Sequence, residues 1–551
     1  MVASWPANVP SRPGRCRPET FIHLPFTFTS VLLCLCDVRS SREGLGSSQP
    51  ACTKGSLVAE TRSQGLTNAL DEASISRFHL RAVLVSGMGF FTDAYDLFVI
   101  GIAATLIKQQ WHLGSGRLAL LNSTMLFAAF LGAFVFGRVA DILGRKRVYW
   151  LVAAIMVVGA LGSALSPSFW VLIVFRFVLG FGVGGDYPVS AVLMSEYANR
   201  RDRGKLVGMV FSTQALGLIV GPLIALVLLG SGVSDGLAWR IMLGLGAIPA
   251  AAVVYLRRQM PESPRYQAQV QGRHGTAVVG LSQFSEGKVI AEPSPAITHQ
   301  MGLRSFLTNR RWVVTLAGTA GCWFLLDYAY YGNTISTPQI IGLISPNSST
   351  MTTIAIQLVI FVVAAVPGYL LGIARMDRIG HRRLQFIGFA MMALCFAVIG
   401  LVPGLTTAVA PFLLVYGVSY FFTEFGPNMT TFVMPSEVFP VTMRATGHGI
   451  SAGIGKLGAF IGVFLFPLLQ SSLGLRGTLL LTAGISVLGL ALTRVLPEPA
   501  GRSLDEVSGG EALVGGLAGG YPSAGESPSA GPFLVDVPSE LRPGAPPDRA
   551  A

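Results

Sequence analysis

Charge is scarce in this chain. Only 12% of its 551 residues are Asp, Glu, Lys or Arg, against roughly 25% in a soluble globular domain. Hydrophobic residues make up 51%, and the mean hydropathy is positive. A charge deficit sustained over this length excludes one soluble domain and points to repeated burial in lipid. Cysteine is scarce too: six residues, too few and too scattered for a disulfide framework. Cys322 and Cys395 lie in apolar runs and are expected to be inert packing residues; Cys16, Cys34, Cys36 and Cys52 lie near the N-terminus. The sequence has no metal-ligand cluster, nucleophile elbow or phosphate loop, so neither an enzyme nor a cofactor is expected. The net charge of +12 does not imply nucleic acid, because the basic residues sit in short runs between apolar segments.

What the chain does have is apolar runs of about 20 residues, each long enough to cross the roughly 30 Å hydrocarbon core. They fall at roughly 81–107, 118–140, 148–166, 169–194, 204–230 and 239–257, then at roughly 312–333, 353–375, 384–402, 407–428, 447–470 and 476–496. The expected fold is all-α: twelve transmembrane helices in two six-helix bundles. The expected organisation is a disordered or weakly structured extension over 1–78 and a bundle over 79–257. A linker over 258–311, a second bundle over 312–497 and a disordered tail over 498–551 follow. The linker reads as flexible or weakly helical. The apolar stretch Phe21–Cys36 has the length of a signal-peptide core inside an otherwise polar extension. The tail is rich in Gly, Pro, Ser and Ala and lacks the apolar surface to order itself.

Basic residues alternate between loops. One set holds Arg145, Lys146 and Arg147, then Arg200, Arg201, Arg203 and Lys205, then Arg257 and Arg258, then Arg375, Arg378, Arg382 and Arg383, then Arg444. The opposite set holds only Lys108, Arg117, Arg240 and Arg476. This asymmetry predicts that the basic loops, the linker and both termini are cytoplasmic. A multi-pass protein of the plasma membrane, working as a monomer, is the expectation.

The halves repeat. Asp141-Ile-Leu-Gly144-Arg145-Lys146-Arg147 follows the second run, and Asp377-Arg-Ile-Gly380-His381-Arg382-Arg383 follows the eighth. Ser195-Glu196 is followed seven residues later by Arg203, and Ser436-Glu437 seven residues later by Arg444. Asp93 precedes Asp141 by 48 residues and Asp327 precedes Asp377 by 50. Paired halves are the architecture of an alternating-access carrier, with its site between them near midplane. The loop Gly137-Arg138-Val-Ala-Asp141-Ile-Leu-Gly144-Arg145-Lys146-Arg147 resembles the signature of the major facilitator superfamily, over about 80 to 497. Its expected work is a cytoplasmic latch. Asp141 pairs with arginine or with a helix N-terminus across the loop, and Arg145 and Asp377 belong to the same device. Glu196 and Glu437 read as charge partners of Arg203 and Arg444. Positive-inside charge alone is the competing account of the arginines.

Acidic groups inside a span are costly and are functional hypotheses by default. Asp93 and Asp96 lie in run one, Asp186 in run four and Asp327 in run seven. Glu424 and Asn428 lie at the end of run ten and Lys456 in run eleven. The string Gly180-Phe-Gly182-Val-Gly184-Gly185-Asp186-Tyr187-Pro188, followed by Ser190 and then Ser195-Glu196, looks like the signature of the phosphate:proton symporter family. Phe90-Phe-Thr-Asp93-Ala-Tyr-Asp96, Glu437-Val-Phe-Pro440, Arg444-Ala-Thr-Gly-His448 and Gly455-Lys456 are similar to that family too. Val189 stands where leucine is commoner. The resemblance implies that Tyr187, Gln214, Trp323, Asp327, Tyr331 and Asn428 contact phosphate. It implies that Asp93 and Asp186 carry protons, with Lys456 pairing one of them. From the residues alone, Trp323, Asp327 and Tyr331 share a helix face, though simple packing also accounts for the aromatics. Tyr, Trp and amide groups are neutral donors for anion oxygens. Asp96 is read as a brace of its helix, and Glu424 as facing an outer vestibule. An organic-acid site would favour core arginine, and none is expected in helices one, four or seven. The function implied is proton-coupled uptake of inorganic phosphate, with another small solute, an organic acid or sugar, as the alternative on the same fold.

Overall fold

The computed structural model describes residues 64–284, 291–292 and 301–508. The stretch Phe21–Cys36, the four N-terminal cysteines and the tail beyond 508 lie outside the described residues. Ten helices long and apolar enough to cross a bilayer are α1 (Arg77–Trp111), α2 (Ser115–Leu143), α3 (Arg145–Ala164), α4 (Phe169–Tyr197), α5 (Arg203–Gly230), α6 (Asp235–Gln259), α7 (Arg310–Ile335), α8 (Thr350–Ile379), α9 (His381–Leu401) and α10 (Val409–Val438). The last stretch, Arg444–Val495, runs for 52 residues, too long for one crossing at a rise of about 1.5 Å per residue. Gly474 has φ 67° and ψ 175°, which divides it into α11 (444–473) and α12 (475–495). The expected all-α fold of twelve helices, six on each side of a linker, is what forms. A two-residue parallel bridge joins Gln64–Gly65 to Ala291–Glu292.

Local chemistry decides where the helices break. Gly144 and Gly380 turn the chain between α2 and α3 and between α8 and α9 at φ 97° and 94°, conformations that a residue with a Cβ resists. In α8 a π-turn at Phe361–Ala365 precedes Pro367, whose missing N–H disturbs the helical ladder. Tyr369, on the segment after the π-turn, is buried. In α10 the helix is interrupted at Gly426, followed by Pro427. A Cβ on Gly426 would lie 2.8 Å from the Cα of Gly388 on α9. This close approach seats Asn428 in the core.

Small residues let the helices meet. Gly180 and Gly184 on α4 lie against the backbone carbonyls of Met125 and Ala129 on α2, so a Cβ at either would collide with main chain. In lipid, close packing of this kind drives helix association.

The segments between and after the bundles also carry structure. Short helices occupy Pro264–Gln269, His274–Phe284 and Leu303–Thr308. Arg265 pairs with Asp71 at 2.6 Å, tying the linker to the helix Leu66–Glu72 inside the extension. The ordered chain also continues past 497, where a disordered tail was expected to begin. The oxygens of Glu498 accept from the backbone N–H groups of His381 and Arg382, at 2.9 and 3.0 Å. Leu504 and Val507 are buried, Val507 among Phe306, Trp312 and Phe439. Glu262, in the matching place after α6, accepts from the N–H of Lys146 at 3.1 Å. Pro261-Glu262 and Pro497-Glu498 are thus a further repeat, each carboxylate capping the helix after a glycine turn.

The two caps titrate differently. Burial raises Glu262 and outweighs Arg145 beside it. Burial also pushes Glu498 up, but its hydrogen bond to His381 and that residue's charge prevail and hold it below the usual glutamate value. An acid with a depressed folded value stabilises above its unfolded pKa, about 4.3, and loses that contribution as pH falls through the folded value. Glu498→Gln is therefore expected to lower Tm at neutral pH and to flatten the acid-side decline of Tm. Identical melting curves for variant and wild type at both pH values would remove the cap from the account. For packing, Gly184→Val is expected to abolish monodisperse protein in size-exclusion chromatography, since overpacking costs about 1–3 kcal/mol or more. Gly484→Ala, where nothing lies within 4 Å, is expected to leave the elution profile unchanged.

Candidate functional site

The buried polar groups gather where the two halves face each other. On the C-terminal side, Lys456 of α11 donates to Asp327 Oδ2 at 2.9 Å and to the Tyr331 hydroxyl at 3.1 Å. Its ammonium also lies 4.5 Å from the ring centre of Tyr187 and 4.4 Å from that of Tyr331. All four residues are buried. Trp323, one turn before Asp327, stands 5.9 Å from the Tyr187 ring and edge-on to His448. On the N-terminal side, the Tyr187 hydroxyl donates to Asp93 Oδ2 at 2.6 Å, while Asp93 Oδ1 has no hydrogen-bond partner.

A line of neutral donors joins the halves. Gln214 donates to the Tyr187 hydroxyl at 3.2 Å, and the Tyr369 hydroxyl to Gln214 at 3.4 Å. Asn428 donates to Tyr369 at 2.9 Å and to Glu424 at 2.5 Å. Every phosphate contact implied by the resemblance therefore lies in one neighbourhood: Tyr187, Gln214, Trp323, Asp327, Tyr331 and Asn428. Tyr369 joins them and was missed, because a single tyrosine in an apolar run gives no periodic signal.

Four placements differ from expectation. Lys456 pairs with Asp327, not with Asp93 or Asp186. Asp186 points away from the lysine, into a two-pronged pair with Arg257 of α6 at 2.6 and 2.9 Å, and also accepts from Ser190. Arg257 is fully buried, although it sits in what reads as a basic loop end. An arginine does occupy helix four: Arg176, buried, 3.8 Å from Asp96. That pair lies off the Lys456 group and gives Asp96 the bracing part it was expected to play. Glu424 is wholly buried beside Asn428 instead of facing an outer vestibule.

The latch residues meet at the basic end, and they pair crosswise. Asp141 accepts from the N–H groups of Ala445 and Thr446 at 3.3 and 2.6 Å and from the Thr446 hydroxyl at 2.6 Å. It thus caps α11, in the other half. Asp377 accepts from the N–H of Lys205 at 2.8 Å, in the first turn of α5. Arg145 bridges Asp141 and Glu196, at 3.1 and 3.2 Å, and donates to the Val441 carbonyl at 2.9 Å. Glu196 pairs with Arg444 at 3.3 Å, and Glu437 with Arg203 at 3.4 Å. Each glutamate takes the arginine of the opposite half, not the one seven residues along its own chain. Negative charge at a helix N-terminus is favourable by itself, so the closed end is doubly secured. Among the described residues, no three His, Cys, Asp or Glu side chains gather as a metal would require.

The family model described as sugar (and other) transporter matches residues 82–509. A probable inorganic phosphate transporter 1-6 of Arabidopsis thaliana is 36% identical over 503 residues, covering 82% of this chain and 98% of that protein. Inorganic phosphate transporter 1-6 of Oryza sativa subsp. japonica is 38% identical over 505 residues, covering 80% and 94%. Among solved structures, a major facilitator superfamily proton:xylose symporter with a bound glucose derivative superposes with a TM-score of 0.68 at 19% identity, over 80% of this chain and all of that one. With twelve helices in two matched halves, a cross-paired closed end and relatives aligned along most of its length, the chain belongs to the sugar (and other) transporter family and is a multi-pass membrane transporter of the major facilitator fold.

Proposed function

We propose that this chain carries inorganic phosphate into the cell together with protons, by alternating access across the plasma membrane, with its basic end and both termini cytoplasmic. One observation carries the reading: the pair between Lys456 and Asp327 lies among Tyr187, Tyr331 and Trp323, beside carboxylates and donors from both halves. The names of the relatives support phosphate as cargo.

The chemistry follows from charge. Lys456 and Asp327 together are neutral. A phosphate monoanion that draws the ammonium away from Asp327 leaves an unpaired carboxylate in a low-dielectric interior, which costs several kcal/mol. A proton on that carboxylate restores neutrality and turns it into a donor for a phosphate oxygen. Asp93, held by Tyr187 with one oxygen free, takes a second. Ionised, Asp327 accepts from a P–OH, which sulfate lacks at neutral pH. The site thereby rejects sulfate by leaving a buried group unpaired. Cytoplasmic opening then requires the crosswise latch to part.

Radiolabelled phosphate uptake into proteoliposomes with an acid exterior tests the cargo. Wild type is expected to accumulate phosphate without competition from sulfate, and Asp327→Asn to lose at least about tenfold of the rate, about 1.4 kcal/mol in the barrier. Folded wild type that moves a sugar or an organic acid instead would overturn it. The latch has its own test. Spin labels at exposed Arg147 and Arg383 are expected to move apart in Asp141→Asn, which keeps the shape but weakens three hydrogen bonds to α11. An unchanged distance distribution would show that Asp141 does not hold the closed end.

A further inference from the structure

One face of α10 is polar along much of its length. Tyr416, Tyr420 and Glu424 recur at every fourth residue, so they lie one above another; Asn428 follows beyond the break at Gly426, and all four are buried. Toward the outer end, Thr337 bonds the hydroxyls of Tyr416 and Tyr420 at 3.2 and 3.0 Å. Tyr420 also donates to Thr334 at 2.9 Å. These hydroxyls lead down to Glu424, which lies fifteen residues from Val409 and fourteen from Val438 within α10, near the midplane.

The surroundings of Glu424 are specific. Oε2 accepts from Asn428. The buried hydroxyls of Tyr330 on α7 and Tyr369 on α8 turn onto the same carboxyl. The groups facing it are Tyr330 from α7, Tyr369 from α8, and Tyr420 and Asn428 from α10. From α9, Gln385 is neutral and engaged with Thr430 and Thr493. Lys456 on α11 is committed to Asp327 and Tyr331. Among the described residues, no Lys, Arg or His pairs with Glu424. This differs from Asp186, fixed by Arg257, and from Asp327, fixed by Lys456. A buried carboxyl surrounded by neutral hydroxyls and an amide, with no cation, is arranged to hold and release a proton: neutral it donates, ionised it accepts from Tyr330, Tyr369 and Asn428.

We propose that Glu424 is a third proton-binding site, beside Asp327 and Asp93, loaded from the outer side along the hydroxyls of Tyr416, Tyr420, Thr334 and Thr337. It stands at one end of the donor line whose other end is Asp93, and Asn428, Tyr369, Gln214 and Tyr187 between them are neutral. The proton's arrival forms one O–H bond on the carboxylate, and its departure to the cytoplasmic side breaks it. This rests on the proton-coupled reading above.

The test counts protons directly. Purified protein in weakly buffered detergent is stepped from about pH 8 to about pH 5. Glu424→Gln is expected to bind about one proton per chain fewer than wild type, as linkage requires of a titrating group. In proteoliposomes, the same variant is expected to lose acid-driven phosphate accumulation severalfold. An equal proton count, together with unchanged pH dependence of uptake, would overturn the proposal. Should wild type carry no phosphate, the cargo reading falls while the proton count still decides on Glu424. If the Gln variant is not recovered folded, Glu424→Asp keeps the carboxyl on a shorter arm. It is expected to bind the full count with a displaced midpoint, and an unmoved midpoint would overturn the assignment.

Discussion

A lysine ammonium bound to an aspartate inside the membrane sets the terms for everything around it. The hydrocarbon core offers neither water nor counter-ion, so Lys456 and Asp327 must satisfy each other or be satisfied by what replaces one of them. Their partners are correspondingly few: a tyrosine hydroxyl and two aromatic ring faces. An arriving anion competes with a carboxylate already in place. In the proposed cycle, coupling to protons is the condition under which that exchange leaves no naked charge, and the aromatic walls keep the exchange dry.

The closed basic end obeys the same constraint by another route. Its carboxylates and arginines are almost all buried; Arg145 holds Asp141 and Glu196 within its own half, while Glu196 with Arg444 and Glu437 with Arg203 pair across the interface between halves. Had Glu196 kept Arg203, and Glu437 kept Arg444, these charges would be satisfied within each half and would hold nothing across the interface. Crossing the partners makes closure the condition for satisfaction. Hydrogen bonds to charged groups contribute about 1.5–3 kcal/mol each, so several together would lock the carrier. Reversible transport requires that hydration of the parted charges, and new packing at the opposite end, offset nearly all of that sum on opening, leaving two states separated by a few kcal/mol. Duplication supplies the symmetry: Asp141 caps α11 as Asp377 caps α5.

Much of this was legible in the sequence, because lipid imposes a strong pattern. Twenty apolar residues, alternating loop charge and the paired Asp-Gly-Arg and Ser-Glu-Arg strings marked the spans and the latch. Partner choice was not legible. Spacing along the chain suggested Glu196 with Arg203, whereas the folded interface gives it Arg444. Lys456 lies 129 residues from Asp327, a separation that carries no signal in one sequence. Arg257 read as a loop residue because it closes α6, yet the end of that helix turns inward to reach Asp186. The α10 stripe was visible throughout as Tyr416, Tyr420, Glu424 and Asn428 at intervals of four. Reading Glu424 as a residue at a helix end hid it, because the run continues past Gly426 and Pro427 to Val438.

The placement of acids also divides labour among them. Asp186 is gripped at both oxygens by one guanidinium, and Asp96 faces Arg176. Each therefore has its counter-charge within the N-terminal bundle. Asp93 and Glu424 have no such partner. Asp93 accepts from Tyr187 and keeps one oxygen unmatched, and Glu424 is surrounded by neutral donors alone. They terminate a single line of neutral donors that crosses from α10 through α8 and α5 to α4 and α1. Because that line spans the interface, any motion that separates the halves must break it between Tyr369 and Gln214, its longest link at 3.4 Å. In the proposed cycle, protonation at either end and separation of the halves meet at this one weak bond, which is where a carrier needs its chemistry and its motion to meet.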